Sequence, residues 1–367
     1  AQASGNAQNI VSDNFQAKGH VAKPQGEFWA KHVNGSYDMK EASSAAHVYG
    51  KQIASAEAFT DATYRHSLAD LKSLADFAYC FGLNEFVVCA SAYQPWLDKR
   101  PGNTANGRQY CLNRNNTYWE YSRPFWDYQA RCAGVMRQGK PVADLCVYAG
   151  DDTPMKMLSY RLPAVPEGYD FDVCTTEGLL TRTTASDGTI ALPDGMRYRM
   201  LVLEKGARVS YMTLRHIADL VEQGVPLWGE RPVPATLTDR ENVECYDLLA
   251  DSLWGTPTER GVRRFGKGHV YAGLTLAEAL MQEGIKPCDH QQHQTDKKRG
   301  RSPQFIDSDR QHRRQNNRSA RYRRDRSGDG GLLIRCARNR CPRAEAGPPE
   351  AITKARDREA QAQHEDG

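Results

Sequence analysis

Between residues 36 and about 180, apolar runs of strand length alternate with longer amphipathic segments. A parallel sheet with helical crossovers satisfies that order, and an all-α or all-β fold does not. Residues 36–51 carry Ala42, Ala45, Ala46 and Tyr49 at helical spacing, and QIASAEAF follows as a short strand. Residues 66–80 repeat the pattern with Leu68, Leu71, Leu74, Ala75 and Ala78 on one face. Gly82 fits the left-handed stop of that helix, and residues 85–90 are an apolar strand. An aromatic-rich helix is expected around residues 119–138, started or interrupted at Pro124, with strands following at 142–148 and 169–174.

Polar residues gather just after these strands: Glu57, then Tyr93 and Gln94, then Asp151 and Asp152, then Glu177. In a (β/α)8 barrel the loops after the strands line one mouth, so these are the positions at which catalytic groups stand. About four strand units are visible where a closed barrel needs eight. The first half of the barrel is therefore expected ahead of residue 1, with the part present reaching residue 185.

After Pro193 the pattern changes. YRMLVL reads as a buried strand, Ser210 caps a helix bearing Leu214, Ile217, Leu220 and Val221, Gly224 ends it, and VPLWG opens another strand. This βαβ unit predicts a smaller α/β domain over residues 186–287. Residues 288–367 differ in kind. From residue 289 onward they hold 16 arginines, no valine, and 19 of the 49 basic against 12 of the 45 acidic residues, a net of +7 that leaves the rest of the chain at −3. Such a segment cannot bury enough surface to fold alone. Three readings compete for it: out-of-frame translation, a disordered basic tail, and a nucleic-acid-binding arm. Aromatic rings to stack on bases are nearly absent from it, which disfavours the arm. The near-neutral body carries no electrostatic footprint for nucleic acid.

The opening residues have neither a basic nor an apolar signal region, and no run of about 18 apolar residues exists to span a membrane. The ten cysteines lie at long, irregular spacings, which favours buried thiols over zinc sites, with one or two disulfides left open. Dinucleotide, P-loop, zincin and nucleophile-elbow motifs are missing. His47, in an apolar helical stretch, reads as a satisfied helix histidine more readily than as a ligand.

Taken together and in order, SSAAHVYGKQIASAEAFT, LADLKSLADFAYCFGLNEFVVCASAYQP, NRNNTYW, YQARCAGVMRQGKPVADLCVYAGDDTP, GYDFDVCTTEGLL and DGMRYRMLVL resemble glycoside hydrolase family 106 across roughly residues 20–287. The resemblance implies an α-L-rhamnosidase with a (β/α)8 catalytic domain, inverting and calcium-assisted, acting on terminal α-L-rhamnosyl linkages outside the cytoplasm, in the periplasm or beyond the cell. No calcium ligands can be assigned from spacing.

Inverting cleavage needs two carboxyls, one to protonate the leaving oxygen and one to activate water. Glu57 is the first candidate, at a strand end between small residues, and by resemblance it is the general acid. The expected base is Asp151, at a place where relatives often carry Gly-Glu-Asp, or Glu177 one strand later. The ordinary alternatives are a solvated turn for the aspartate pair and a helix-start glutamate for Glu177. Glu27, in PQGEFW, is expected to bind a sugar hydroxyl or the metal. Trp29, Tyr93, Trp96 and Trp119 are candidate stacking rings, Gln94, Asn113 and Arg114 candidate polar contacts, and Asp152 a further one. The rival reading is a carbohydrate-binding protein on a degenerate barrel, without catalysis.

Overall fold

The structure, a computed structural model, describes residues 13–30, 36–104, 110–151, 164–235, 243–255 and 260–287. Asp152 and the Arg-rich tail expected from residue 288 lie outside them. The chain begins with α1 (Asn14–Gly19), capped by the Asp13 carboxylate on the Gln16 amide. It continues through β1 (Gln25–Trp29), α2 (Ser36–Val48), β2 (Ser55–Thr60), α3 (Leu68–Cys80) and β3 (Glu85–Val88), then a 3-10 turn at Trp119–Tyr121 and α4 (Arg123–Met136), with Pro124 in its first turn. Strands β1, β2 and β3 pair in parallel in that order, the repeating wall of a (β/α) barrel. Helix α3 shows how local sequence sets the pattern. Ser67 and Asp70 form a capping box, Leu71, Ala75 and Ala78 bury one face, and Gly82 follows at φ +86°.

The second half holds β4 (Leu145–Tyr148), β5 (Phe171–Cys174), α5 (Thr176–Arg182), a small antiparallel sheet of β6 (Thr184–Ser186), β7 (Thr189–Ala191) and β8 (Arg197–Tyr198), then β9 (Met200–Leu203), β10 (Arg208–Val209) and α6 (Tyr211–Glu222). It ends with β11 (Leu227–Trp228), β12 (Val233–Pro234), α7 (Val243–Trp254), β13 (Gly261–Phe265), β14 (Gly268–Ala272) and α8 (Leu276–Gln282). Six strands form one sheet in the order β13-β14-β11-β9-β4-β5, all parallel except β13 against β14. Ranked along the chain, its five parallel strands lie 2-1-3-4-5, the flavodoxin-like doubly wound order.

This topology corrects the expected organisation. Strands β4 and β5, read as barrel strands, pair with each other and, through β4, with β9, so a boundary at 185/186 would cut through a sheet. The physical reason is burial on two faces. β4, β5 and β9 are buried at every position, as strands covered by helices on both sides must be. One face carries Cys146, Tyr148, Leu201 and Leu203 toward α6 and α7; the other carries Leu145, Val147, Met200 and Val202 toward α8. Cys111, Cys146 and Cys174 are buried thiols.

Helix α2 packs against both sheets. Met39, Ala42 and Ala46 join the core behind β1 and β2, while Tyr37, Ala45 and Val48 join the cores of the six-stranded sheet. Its polar residues are consequently buried and paired. Lys18 bridges Asp38 and Glu41, the latter at 2.7 Å; Lys40 reaches Asp170 at 3.0 Å; Ser44 and His47 bond Asp172 at 3.0 and 2.9 Å. The Ser44 hydroxyl also accepts the Val173 amide at 3.2 Å, capping a group on the edge strand β5.

Candidate functional site

On the three-stranded sheet Gln25 pairs with Ser55, Gly26 with Ala56, and Glu27 with Glu57, while Glu57 in turn faces Val87 on β3. Residues in register on neighbouring strands share a face about 4.8 Å apart, so Glu27 and Glu57 form a carboxyl pair. The opposite face, with Phe28, Ala56 and Ala58, is apolar and packs on the helices. Glu27 is 8% exposed and Glu57 is half-buried.

The register slips between Glu27 and Trp29, so that Trp29 pairs with Thr60. Phe59 takes φ +62° and turns into the aromatic cluster of Phe28, Phe86 and Phe125. That left-handed conformation is costly for a large side chain, and the ring's complete burial offsets it. The slip brings Thr60 onto the face of Glu57, where its hydroxyl donates to Oε1 at 2.9 Å. Regular alternation would put residues 57 and 60 on opposite faces, so sequence reasoning missed Thr60. Trp29 adds an indole N–H that is buried and has no acceptor among the described residues.

The loop leaving β3 closes a hairpin over residues 93–103. Tyr93 and Asn103 exchange backbone bonds of 3.0 and 2.8 Å, and Gln94 donates to the Pro101 carbonyl at 2.7 Å. Asn113, buried, donates to the Tyr64 hydroxyl at 3.2 Å, and Arg114 donates to the carbonyls of Gln94 and Trp96 at 3.0 and 2.7 Å. Asn113, Arg114 and the Gln94 amide are thus engaged in holding loops. Trp119 packs against the core behind the sheet, whereas Tyr93 and Trp96 project outward, 68% and 50% exposed.

The structure brings neither proposed base to the barrel sheet. Asp151 follows β4, and its carboxylate accepts from the hydroxyls of Tyr148, Thr176 (3.0 Å) and Thr213 (3.1 Å) and from the Ser210 amide. Burial, and then the Asp151 charge, push the Tyr148 phenol far above its usual range, which fixes it as a donor. With those donors Asp151 ties β4 to the starts of α5 and α6. Glu177, on α5, accepts from Gln16 at 2.9 Å and Tyr49 at 3.3 Å and meets His20 at 2.8 Å. Burial acts to raise its pKa, but these partners, His20 first, hold it below the ordinary glutamate range. It pins α1 and α2 to α5. His47 is the satisfied helix histidine expected, held by Asp172.

Calcium takes six to eight oxygens. Among the described residues no group of three or more His, Cys, Asp or Glu side chains is arranged to hold a metal ion. Glu27, Glu57 and Thr60 alone do not complete such a shell. Also among them, no helix is long and apolar enough to cross a membrane.

A family profile described as alpha-L-rhamnosidase, glycoside hydrolase family 106, matches residues 1–324, running past residue 287 into the Arg-rich segment. A Formosa agariphila protein named "Putative beta-glucuronidase" is 32% identical over 233 residues, 62% of this chain and 20% of its own length. The solved structure of a rhamnosidase from Novosphingobium is similar at a TM-score of 0.68 and 26% identity, over 76% of this chain and 28% of that one. The chain therefore spans well under a third of either relative's length.

Proposed function

Because the chain belongs to the α-L-rhamnosidase family of glycoside hydrolases, we propose that it contributes to hydrolysis of terminal α-L-rhamnosyl linkages with inversion, and that Glu57 is one of the two reacting carboxyls. The observation that carries this reading is the in-register pair Glu27 and Glu57 on the polar face of the barrel sheet, with Thr60 bonded to Glu57. The similarity to a solved rhamnosidase supports the sugar, and the carbohydrate substrate class follows from the family.

The resemblance alone casts Glu57 as the acid, but its surroundings favour the other role. A hydroxyl that donates to Oε1 orients the side chain and is matched to an ionised carboxylate, the form in which a base acts. In that role Glu57 takes a proton from water as the water oxygen bonds to the anomeric carbon. The bond from that carbon to the leaving oxygen breaks, and the second carboxyl supplies that oxygen with a proton. Inverting pairs stand ~6.5–9.5 Å apart, wider than the ~4.8 Å between register partners. Glu27 is accordingly a holder of a sugar hydroxyl beside Glu57, and the Trp29 indole N–H is a second polar contact for the ring. Asp151 and Glu177 take structural roles.

Glu57→Gln separates the alternatives. Assayed on aryl α-L-rhamnosides, loss of a base slows substrates with good and poor leaving groups alike, on the order of 10²–10⁴-fold. Loss of an acid spares the activated substrate. The anomer released first, read by NMR, tests inversion. Rhamnoside binding without turnover by the wild type would point instead to a carbohydrate-binding protein on a degenerate barrel.

A further inference from the structure

We propose that the hairpin of residues 93–103 is a stacking arm for the sugar units on the leaving-group side, and that Arg114 is the positioning residue that holds it. This rests on the glycosidase reading above and names the part of the substrate that the arm would meet.

Three observations carry it. The first is placement. The arm leaves the C-terminal end of β3, the strand beside Glu57, and so stands at the mouth of the carboxyl site. Glu27 is nearly closed off from solvent while Tyr93 and Trp96 stand out at the rim. A terminal sugar deep enough to reach Glu57 leaves its aglycone at the level of those rings.

The second is rigidity without burial. Exposed aromatic rings on a loop are unremarkable if the loop is loose, but here the backbone is held from several sides. Arg114 spans the carbonyls of Gln94 and Trp96, the Pro101 carbonyl accepts from both Gln94 and Asn115, and Tyr93 pairs with Asn103. Gly102 sits at φ +97°, and a Cβ there would lie 2.6 Å from the Tyr93 carbonyl oxygen, so the turn is tight enough to demand glycine. A frame built on carbonyls, with the rings left outside it, is preorganised for contact with something else.

The third is the ring environment. The Lys99 ammonium lies 4.8 Å from the centroid of the Trp96 ring. One face is thereby occupied by a cation, and the other is left for the C–H face of a pyranose.

The test compares wild type with Trp96→Ala, Tyr93→Ala, Arg114→Ala and Arg114→Lys, using an aryl α-L-rhamnoside and a trisaccharide ending in α-L-rhamnose. The expected result is a fall on the order of tenfold in the ratio of kcat/KM for the trisaccharide to that for the aryl substrate. It should enter through KM in Trp96→Ala and Arg114→Ala, with partial recovery in Arg114→Lys. An unchanged ratio in Trp96→Ala overturns the proposal, and so do equal losses on both substrates. Trp96 is exposed, so that variant stays informative should Arg114→Ala fail to fold. If the wild type cleaves neither compound, the glycosidase reading fails, and the arm is judged by binding. Quenching of tryptophan emission by the trisaccharide that is lost in Trp96→Ala supports the arm, and no quenching in the wild type overturns it.

Discussion

Glu27 and Glu57 are register partners on adjacent parallel strands, and Thr60, three residues after Glu57, reaches the same face only because the register slips at Phe59. The slip makes Thr60 a positioning residue for the carboxylate. A hydrogen bond to a charged group is worth about 1.5–3 kcal/mol. Thr60→Val should therefore lower kcat/KM about tenfold or more, while Thr60→Ser, which keeps the hydroxyl, should retain most of it. Steady-state rates on an aryl rhamnoside decide this. Equal activity in the valine variant would remove Thr60 from the mechanism.

Asp151 separates a structural role from a catalytic one. Its carboxylate serves four donors, three of them hydroxyls, and removal strands them beside a buried sheet end. Asp151→Ala should cost about 2–4 kcal/mol, seen as a lower urea midpoint and a Tm lower by several degrees. The fraction that remains folded should keep its kcat. A base would instead cost about 10²–10⁴ in rate with little change in Tm. Glu57→Gln is the reverse case, with a large loss in rate and a small shift in melting.

Asp172 sets an acid limit on stability. Burial alone would raise its pKa, but His47 and Lys40 by charge, and the His47 and Ser44 hydrogen bonds, overcome that and hold it well below the ordinary 3.8. A depressed folded pKa gives stability that is complete above the unfolded value and is lost as pH falls through the folded one. The contribution of Asp172 should thus persist at pH 5 and 6 and decline below about pH 3.8. Asp172→Asn leaves Lys40 and His47 without their shared carboxylate and should cost about 3–5 kcal/mol at pH 6. Urea unfolding from pH 6 down to pH 2.5 should show the variant losing less on acidification than the wild type. Parallel curves would mean that another carboxylate governs the acid transition.

Much of this was legible in the chain. The helix stop at Gly82, the cap at Ser210 and the strands around Glu57 and Val87 follow from local chemistry, and the structure keeps them. Glu27 and Glu57 were read as strand-end carboxylates, but both lie inside their strands, and their pairing depends on register, which one sequence does not specify. Assignment of LCVY and FDVC to the barrel failed because helical spacing cannot say which sheet a strand joins. The continuous burial of those runs, beside the one-sided polarity of SAEAF, was the available signal. The polar residues of α2 are buried because two sheets enclose the helix, a fact of tertiary assembly that helical spacing alone does not carry.

Glu204 offers a test of how the six-stranded sheet closes. It follows β9, beside β4, at the point where the strand order reverses, the place at which this type of sheet usually leaves a ligand crevice. Here Gly150 lies so close to Arg208 that a Cβ would stand 2.8 Å from its carbonyl oxygen, and the Asp151 carboxylate is fully occupied by its donors. The chain after β4 thus lies against the chain after β9, and Glu204 has no side-chain partner among the described residues. Burial raises its pKa above 4.5. A carboxyl with a raised folded pKa is stabilising to protonate in the fold, so its ionisation costs stability as pH rises above 4.5 through the folded value. Glu204→Gln removes that cost. Tm at pH 8 should rise by about 2 °C, and the gain should vanish at pH 4. A variant less stable than wild type at pH 8 would show that the carboxylate has a stabilising partner when ionised.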